Sequence, residues 1–242
     1  MKIVCESAPE WIKFPSDMNE LQQSFEQTYR FPGVIGAIDC THVKIDSIGG
    51  NQPEVFRNRK GFFSINIQAV CGPDLRFYDV VARWPGSTHD SRIFENSHLN
   101  TTLELSNTSG HLLGDSGYAL KTYLMTPFQE PSNHEQKRYN KIHSQTRMFI
   151  EKAFGVLKRR FPILKHRLRL REAQDNCHLI LLAFVLHNMC IQFKREDADS
   201  MLENPIEEVN LEANMFNDAG GQEDESQEGS EKRLLIARNL LA

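Results

Sequence analysis

Three short runs, VIGAIDCTHVKI (34–45), SINIQAVCG (64–72) and RFYDVVARW (76–84), constrain this chain more than any other feature. Each is rich in Val, Ile and aromatic residues and bounded by Gly, Pro, Asn or Asp, so each reads as a strand. Their close succession predicts an antiparallel meander, which already excludes an all-helical fold. The first run carries Asp39 at its centre among apolar and small neighbours. An ionised carboxylate in such surroundings is costly unless a cation or several donors meet it. The fold and the function are therefore posed together at Asp39.

The remaining segments dress that meander. SDMNELQQSFEQTYR (16–30) has a capped helical pattern ending near Phe-Pro-Gly. HLLGDSGY (111–118) reads as a fourth short strand running into a turn, and another short strand is expected near TYLMTP. After Pro131 the pattern turns helical: one amphipathic run to about Ser144, a second through RMFIEKAFGVLKRRF, and an apolar third through NCHLILLAFVLHNMCIQF. Helices packed on a mixed sheet make an α/β layer. The expected organisation is a lead-in with a helix over 1–30, one domain over 31–195, an acidic tail over 196–230 too poor in apolar surface to order, and a short helix over 231–242.

Composition matters for the partner. The net charge is only −4, yet EKAFGVLKRRFPILKHRLRLR (151–171) is strongly basic, so overall acidity does not exclude a polyanion; a solvated helix face explains the run equally well. Five cysteines without a CxxC pair point to a reducing compartment. No apolar run is long enough for a membrane span, and the N-terminus lacks the apolar core of a signal peptide. Cytosol or nucleus is the expected location.

Four acids need placing. Asp115 ends the run HLLGD, where an aspartate bonding its own turn is the plainer reading. Glu151 sits near the apolar face of its helix, where an ion pair with Arg147, one turn earlier, is the alternative to a functional role. Asp90, in RWPGSTHDSRIF, closes a capping-box pattern with Ser87, so it either starts a helix or holds a metal. The order is more telling than any single acid: one on the first strand, one at the end of a strand after the meander, one on a later helix. A ribonuclease-H-like domain gathers distant carboxylates at one sheet edge in that order. Magnesium takes oxygen ligands and keeps waters for chemistry, and paired ions can assist in-line phosphoryl transfer.

These blocks carry a family resemblance. GVIGAIDCTHVKI, NRKGFFSINIQAVC, WPGSTHDSRIF, LLGDSGYALKTYLMTP and YNKIHSQTRMFIEKAFGVLKRRFPIL closely resemble consecutive blocks of PIF/Harbinger DDE transposases and the nucleases derived from them, from about Phe31 to the helix containing LHNMC. The resemblance implies a ribonuclease-H-like fold with flanking helices and a metal-dependent nuclease of transposase type. Catalytic residues would be Asp39, Asp115 and Glu151. Metal ligands would be these three and Asp90, with Mg²⁺ or Mn²⁺ as the ion. DNA is the implied substrate and the nucleus the implied compartment, with a Myb-like DNA-binding protein as partner; a homo-oligomer is compatible with it. The family usually carries a helix-turn-helix-like region upstream of the first catalytic strand, where this sequence has about thirty residues, so reading of transposon ends is not among the expectations.

Two other classes stay in view. A domesticated, catalytically weak DNA-binding or scaffold protein would keep the fold without cleaving. A hydrolase of small phosphate esters is disfavoured, because the sequence has neither a glycine-rich phosphate loop nor a GxSxG elbow. His42 and His89, close to two of the acids, are expected to make local hydrogen bonds. His187 and Cys190 lack a second ligand pair for zinc and are expected to pack in the core. Asn58, Arg59 and Lys60 read as a strand-entry loop or a backbone contact to DNA, and Lys158, Arg159 and Arg160 as cations that could guide phosphates.

Overall fold

The computed structural model describes residues 6–48, 53–106, 110–193 and 226–240. In chain order the elements are α1 (Ala8–Trp11), α2 (Met18–Tyr29), β1 (Val34–Lys44), a 3-10 turn at Pro53–Phe56, β2 (Ser64–Cys71), β3 (Phe77–Pro85), α3 (Asp90–Glu95), α4 (His98–Leu105), β4 (His111–Leu113), β5 (Leu124–Met125), α5 (His134–Arg160), α6 (Ala173–Gln192) and α7 (Gln227–Asn239). The five strands form one mixed sheet in the order β3-β2-β1-β4-β5. The meander β1-β2-β3 is antiparallel, while β4 lies parallel to β1 and β5 parallel to β4. With helices around it, this is a ribonuclease-H-like α/β fold.

Strand alternation separates two cores. Ala37, Val43, Ile65, Ile67 and Ala69 pack with Ile150, Ala153, Phe154 and Leu157 of α5 and Ile180 and Phe184 of α6. Ile38 and Val70, offset by one residue, face the other cluster with Leu21 and Phe25 of α2, Phe94, Leu112, Leu124 and Ile236. Each such buried side chain contributes roughly 1.5–3 kcal/mol. Tyr139, early on α5, belongs to the second cluster and Ile150 to the first, so this one helix spans both. Residues 147–151 lie at the junction.

Several expected boundaries move. The two runs expected on either side of Ser144 are one continuous helix, α5, started by Asn133, whose side chain accepts from Gln136 N at 2.9 Å; nothing between Ser144 and Arg147 breaks the backbone ladder. Two short helices, α1 and α4, were not anticipated. The α4 cap is Ser97, whose side chain accepts from Asn100 N. The C-terminal helix starts at Gln227, inside the stretch expected to be an unordered tail. Ser226 caps it, Lys232 donates to Thr122 O at 2.7 Å, and Arg233 lies over the Phe128 ring. Residues 196–225 of that expected tail lie outside the described residues. No described helix is long and apolar enough to cross a membrane.

Candidate catalytic site

Register brings the first two acids together. Ala37 of β1 pairs with Leu113 of β4 in parallel, and two residues further along each chain stand Asp39 and Asp115, close enough that Asp115 raises the Asp39 carboxyl. The strand pairing stops there: Asp115 Oδ1 accepts from Gly117 N at 2.9 Å, and Tyr118 N bonds Asp115 O. Gly114 is required just before the turn, because a Cβ there would lie 2.9 Å from the Tyr118 ring and 3.3 Å from Ile38. The turn role expected for Asp115 is thus real, and the turn leaves its carboxylate near enough to act on Asp39.

Helix α5 supplies the third acid and a cation. Arg147 Nη1 donates to Asp39 Oδ2 and Arg147 Nη2 to Glu151 Oε1, both at 2.6 Å. The three side chains are 19%, 18% and 31% exposed, half-buried but reachable from solvent. The sequence anticipated the one-turn pair of Arg147 with Glu151; the bridge to Asp39, 108 residues away, is tertiary. Burial pushes the Asp39 carboxyl up; Arg147 pulls it down, while Asp115 and, more weakly, Asp90 raise it, for a net value of about 7. Burial works against the Arg147 charge, and Asp39, Glu151 and Asp115 restore it. Three carboxylates thus crowd around one guanidinium.

Asp90 does not form the capping box. His89 is the cap residue, Asp90 is the first helical residue, and no side chain caps this end; the Ser87 amide bonds Val55 O instead. Asp90 Oδ1 accepts from Asn66 Nδ2 at 2.8 Å, and the same amide group reaches Thr88 O. Asn66, one of three buried polar residues on β2 with Ser64 and Gln68, is the positioning residue that sequence reading missed; its amide in the run SINIQAVC was the available signal. The Cys40 thiol, against Tyr118 Oη, is pushed well up by burial and then by Asp90, so it stays protonated.

The histidines make hydrogen bonds, but those of His42 and His89 are tertiary and not local as expected. His42 Nδ1 meets Ser64 Oγ at 3.0 Å and His89 meets Arg59. His187 Nε2 lies 3.0 Å from Leu75 O and its Nδ1 3.1 Å from Arg160, a core link. Among the described residues, no three His, Cys, Asp or Glu side chains stand close enough to hold an ion as they are. The reason is visible: Asp39 and Glu151 hold Arg147, Asp115 holds its turn, and Asp90 holds Asn66.

A family model described as "DDE superfamily endonuclease" matches residues 38–188, a span containing all four acids. The chain belongs to the DDE endonuclease superfamily. Its relatives place it in the PIF/Harbinger branch. A human protein named "Putative nuclease HARBI1" is 34% identical over 210 residues, covering 84% of this chain and 60% of that protein. An Arabidopsis thaliana protein named "Protein ALP1-like" is 30% identical over 211 residues, covering 80% of this chain and 52% of its own length. The chain therefore spans about three-fifths or less of the relatives it matches. No solved structure matches it.

Proposed function

We propose that the edge formed by Asp39, Asp115 and Glu151 is the catalytic centre of a divalent-metal-dependent DNA endonuclease of transposase type, with Asp90 as a fourth carboxylate. The observation that carries this reading is the guanidinium of Arg147, a cation bridging Asp39 and Glu151 with 2.6 Å contacts to each. A half-buried set of carboxylates that already recruits one cation, and retains negative charge in excess, is chemically suited to Mg²⁺ or Mn²⁺. Such ions, when bound, would supply activation of an attacking water or 3′-hydroxyl and stabilisation of the leaving oxygen. The chain's own part is to deliver the oxygen ligands. Asp39 gives up the proton that burial favours, Arg147 releases its two carboxylates, and the turn at Gly114–Gly117 keeps Asp115 beside Asp39. Asn66 holds Asp90 from the far side. DNA as substrate makes the nucleus the working compartment.

Nicking of supercoiled plasmid in Mg²⁺ or Mn²⁺ tests the reading. Activity should be abolished by Asp39→Asn, Asp115→Asn or Glu151→Gln with the fold retained, and reduced by Asp90→Asn. Full activity in the first three variants would refute the assignment. Binding of DNA by the native chain without any cleavage would instead favour the scaffold role.

A further inference from the structure

The loop before β2 is built more firmly than a connecting loop needs. Asn58, 6% exposed, accepts from Lys60 N at 3.0 Å and Phe62 N at 3.3 Å through its side-chain oxygen, and its own amide bonds Phe62 O. Its Nδ2 donates to Ser64 Oγ, which in turn meets His42 Nδ1. Gly61 closes the turn at φ +81°, a conformation that favours glycine. The product is a tight tip whose ordered backbone carries two exposed cations, Arg59 and Lys60. Lys44, exposed on β1, lies over the Phe62 ring at 4.9 Å on the same loop.

A further cation approaches from the helix side. Lys158 stands two helical turns after Glu151, on the same stripe of α5, and its ammonium donates to Thr41 Oγ1 at 2.6 Å and to His42 O at 3.4 Å. Among the described residues neither Lys158 nor Lys60 has an ion-pair partner. A half-buried ammonium met only by a hydroxyl and a carbonyl is poorly compensated; burial, then Lys165, pushes it down to about 8. His42 registers the surplus: burial, then Lys158, Lys60 and Arg59, pushes its imidazole down to about 4. Cations from two separate elements therefore surround one neutral histidine.

We propose that Lys158, Lys60 and Arg59 form an anion seat around His42 that grips a backbone phosphate of the nucleic-acid strand entering the carboxylate centre. Thr41 lies two residues beyond Asp39 on the same face of β1, ~7 Å along the strand, a separation comparable with that of neighbouring phosphates in one nucleic-acid strand. The acids then take the scissile phosphate and the cations an adjacent one. Ordering the loop backbone through Asn58 before binding reduces the ordering cost of the contact. The inference rests on the endonuclease reading and adds to it where the strand lies.

Fluorescence anisotropy with a labelled DNA duplex, in EDTA so that nothing is cleaved, tests the seat. Native chain should bind with a salt-dependent affinity. Lys60→Gln and Lys158→Gln should each weaken binding several-fold and each reduce the slope of log K against log salt by about 1; Lys158→Arg should restore both, and Lys137→Gln on the exposed start of α5 should change neither. Lys60 is exposed, so its variant stays informative if Lys158→Gln lowers the melting temperature. Native-like affinity and slope in Lys60→Gln and Lys158→Gln would overturn the seat and leave the endonuclease reading standing. A native chain with no salt-dependent DNA binding would overturn both.

Discussion

Two polar clusters in this molecule differ in how their charge is balanced. At the start of β3, Asn188 accepts from Phe77 N and donates to Phe77 O and Trp11 O, all within 2.9 Å, while His187 links Leu75 and Arg160. The Asn188 amide is neutral and its oxygen and nitrogen are both engaged, which suits a clamp fastening α6 to β3 and to the N-terminal segment. At the carboxylate edge, Asp39 and Glu151 share a single guanidinium, with the Asp115 charge close by. Saturated neutral networks rigidify; unbalanced charge kept near solvent is costly and persists where something else is to bind.

One substitution at each cluster should separate the two. Glu151→Gln should lower the nicking rate at least about 100-fold, which is about 2.7 kcal/mol of barrier, with little change in the denaturant midpoint. A stability loss that accounts for the rate would merge the two clusters into one structural kind. Asn188→Ala should do the reverse. It strands the buried amide and carbonyl of Phe77 and should cost about 2–3 kcal/mol by urea unfolding, with nicking per folded molecule unchanged.

Arg147 sharpens the contrast. Replacing it with Gln removes the cation that Asp39 and Glu151 now share, so calorimetric Mn²⁺ affinity should rise about tenfold, or about 1.4 kcal/mol. A fall would make Arg147 a residue that orients the acids for the ion and not a competitor. The smallest effect is expected at Asp79 on β3, whose carboxyl burial raises to about 6 and whose Oδ1 has no hydrogen-bond partner. Its proton is held more tightly in the folded chain, so this stabilisation is present at pH 4 and lost as pH rises through 6. Asp79→Asn should gain on the order of 1 kcal/mol at pH 8 and almost nothing at pH 4, read from thermal unfolding at the two pH values.

Much of this was legible from residues in a row. Strand alternation in 34–45, 64–72 and 76–84 specifies the meander, and the order of Asp39, Asp115 and Glu151 specifies the edge. Local patterns misled where a tertiary partner won. Ser87 and Asp90 have the spacing of a capping box, but Asn66 from β2 holds the carboxylate instead. Arg147 reads as a one-turn partner of Glu151, and only the packing of α5 across both cores brings it to Asp39. Ser144 looked like a helix break because the apolar stripe shifts there from one core to the other, while the backbone runs on. Lys158 drew notice as a basic residue near Glu151; its seat on Thr41 needed the fold.

The central claim, that these acids form a cation site serving cleavage, is tested most directly by titrating Mn²⁺ into native chain and Asp39→Asn while plasmid nicking is followed in the same samples. The native chain should show saturable binding with nicking rising over the same concentrations, and Asp39→Asn should lose both while keeping its melting temperature. Native-like binding and nicking by a folded Asp39→Asn variant would contradict the account.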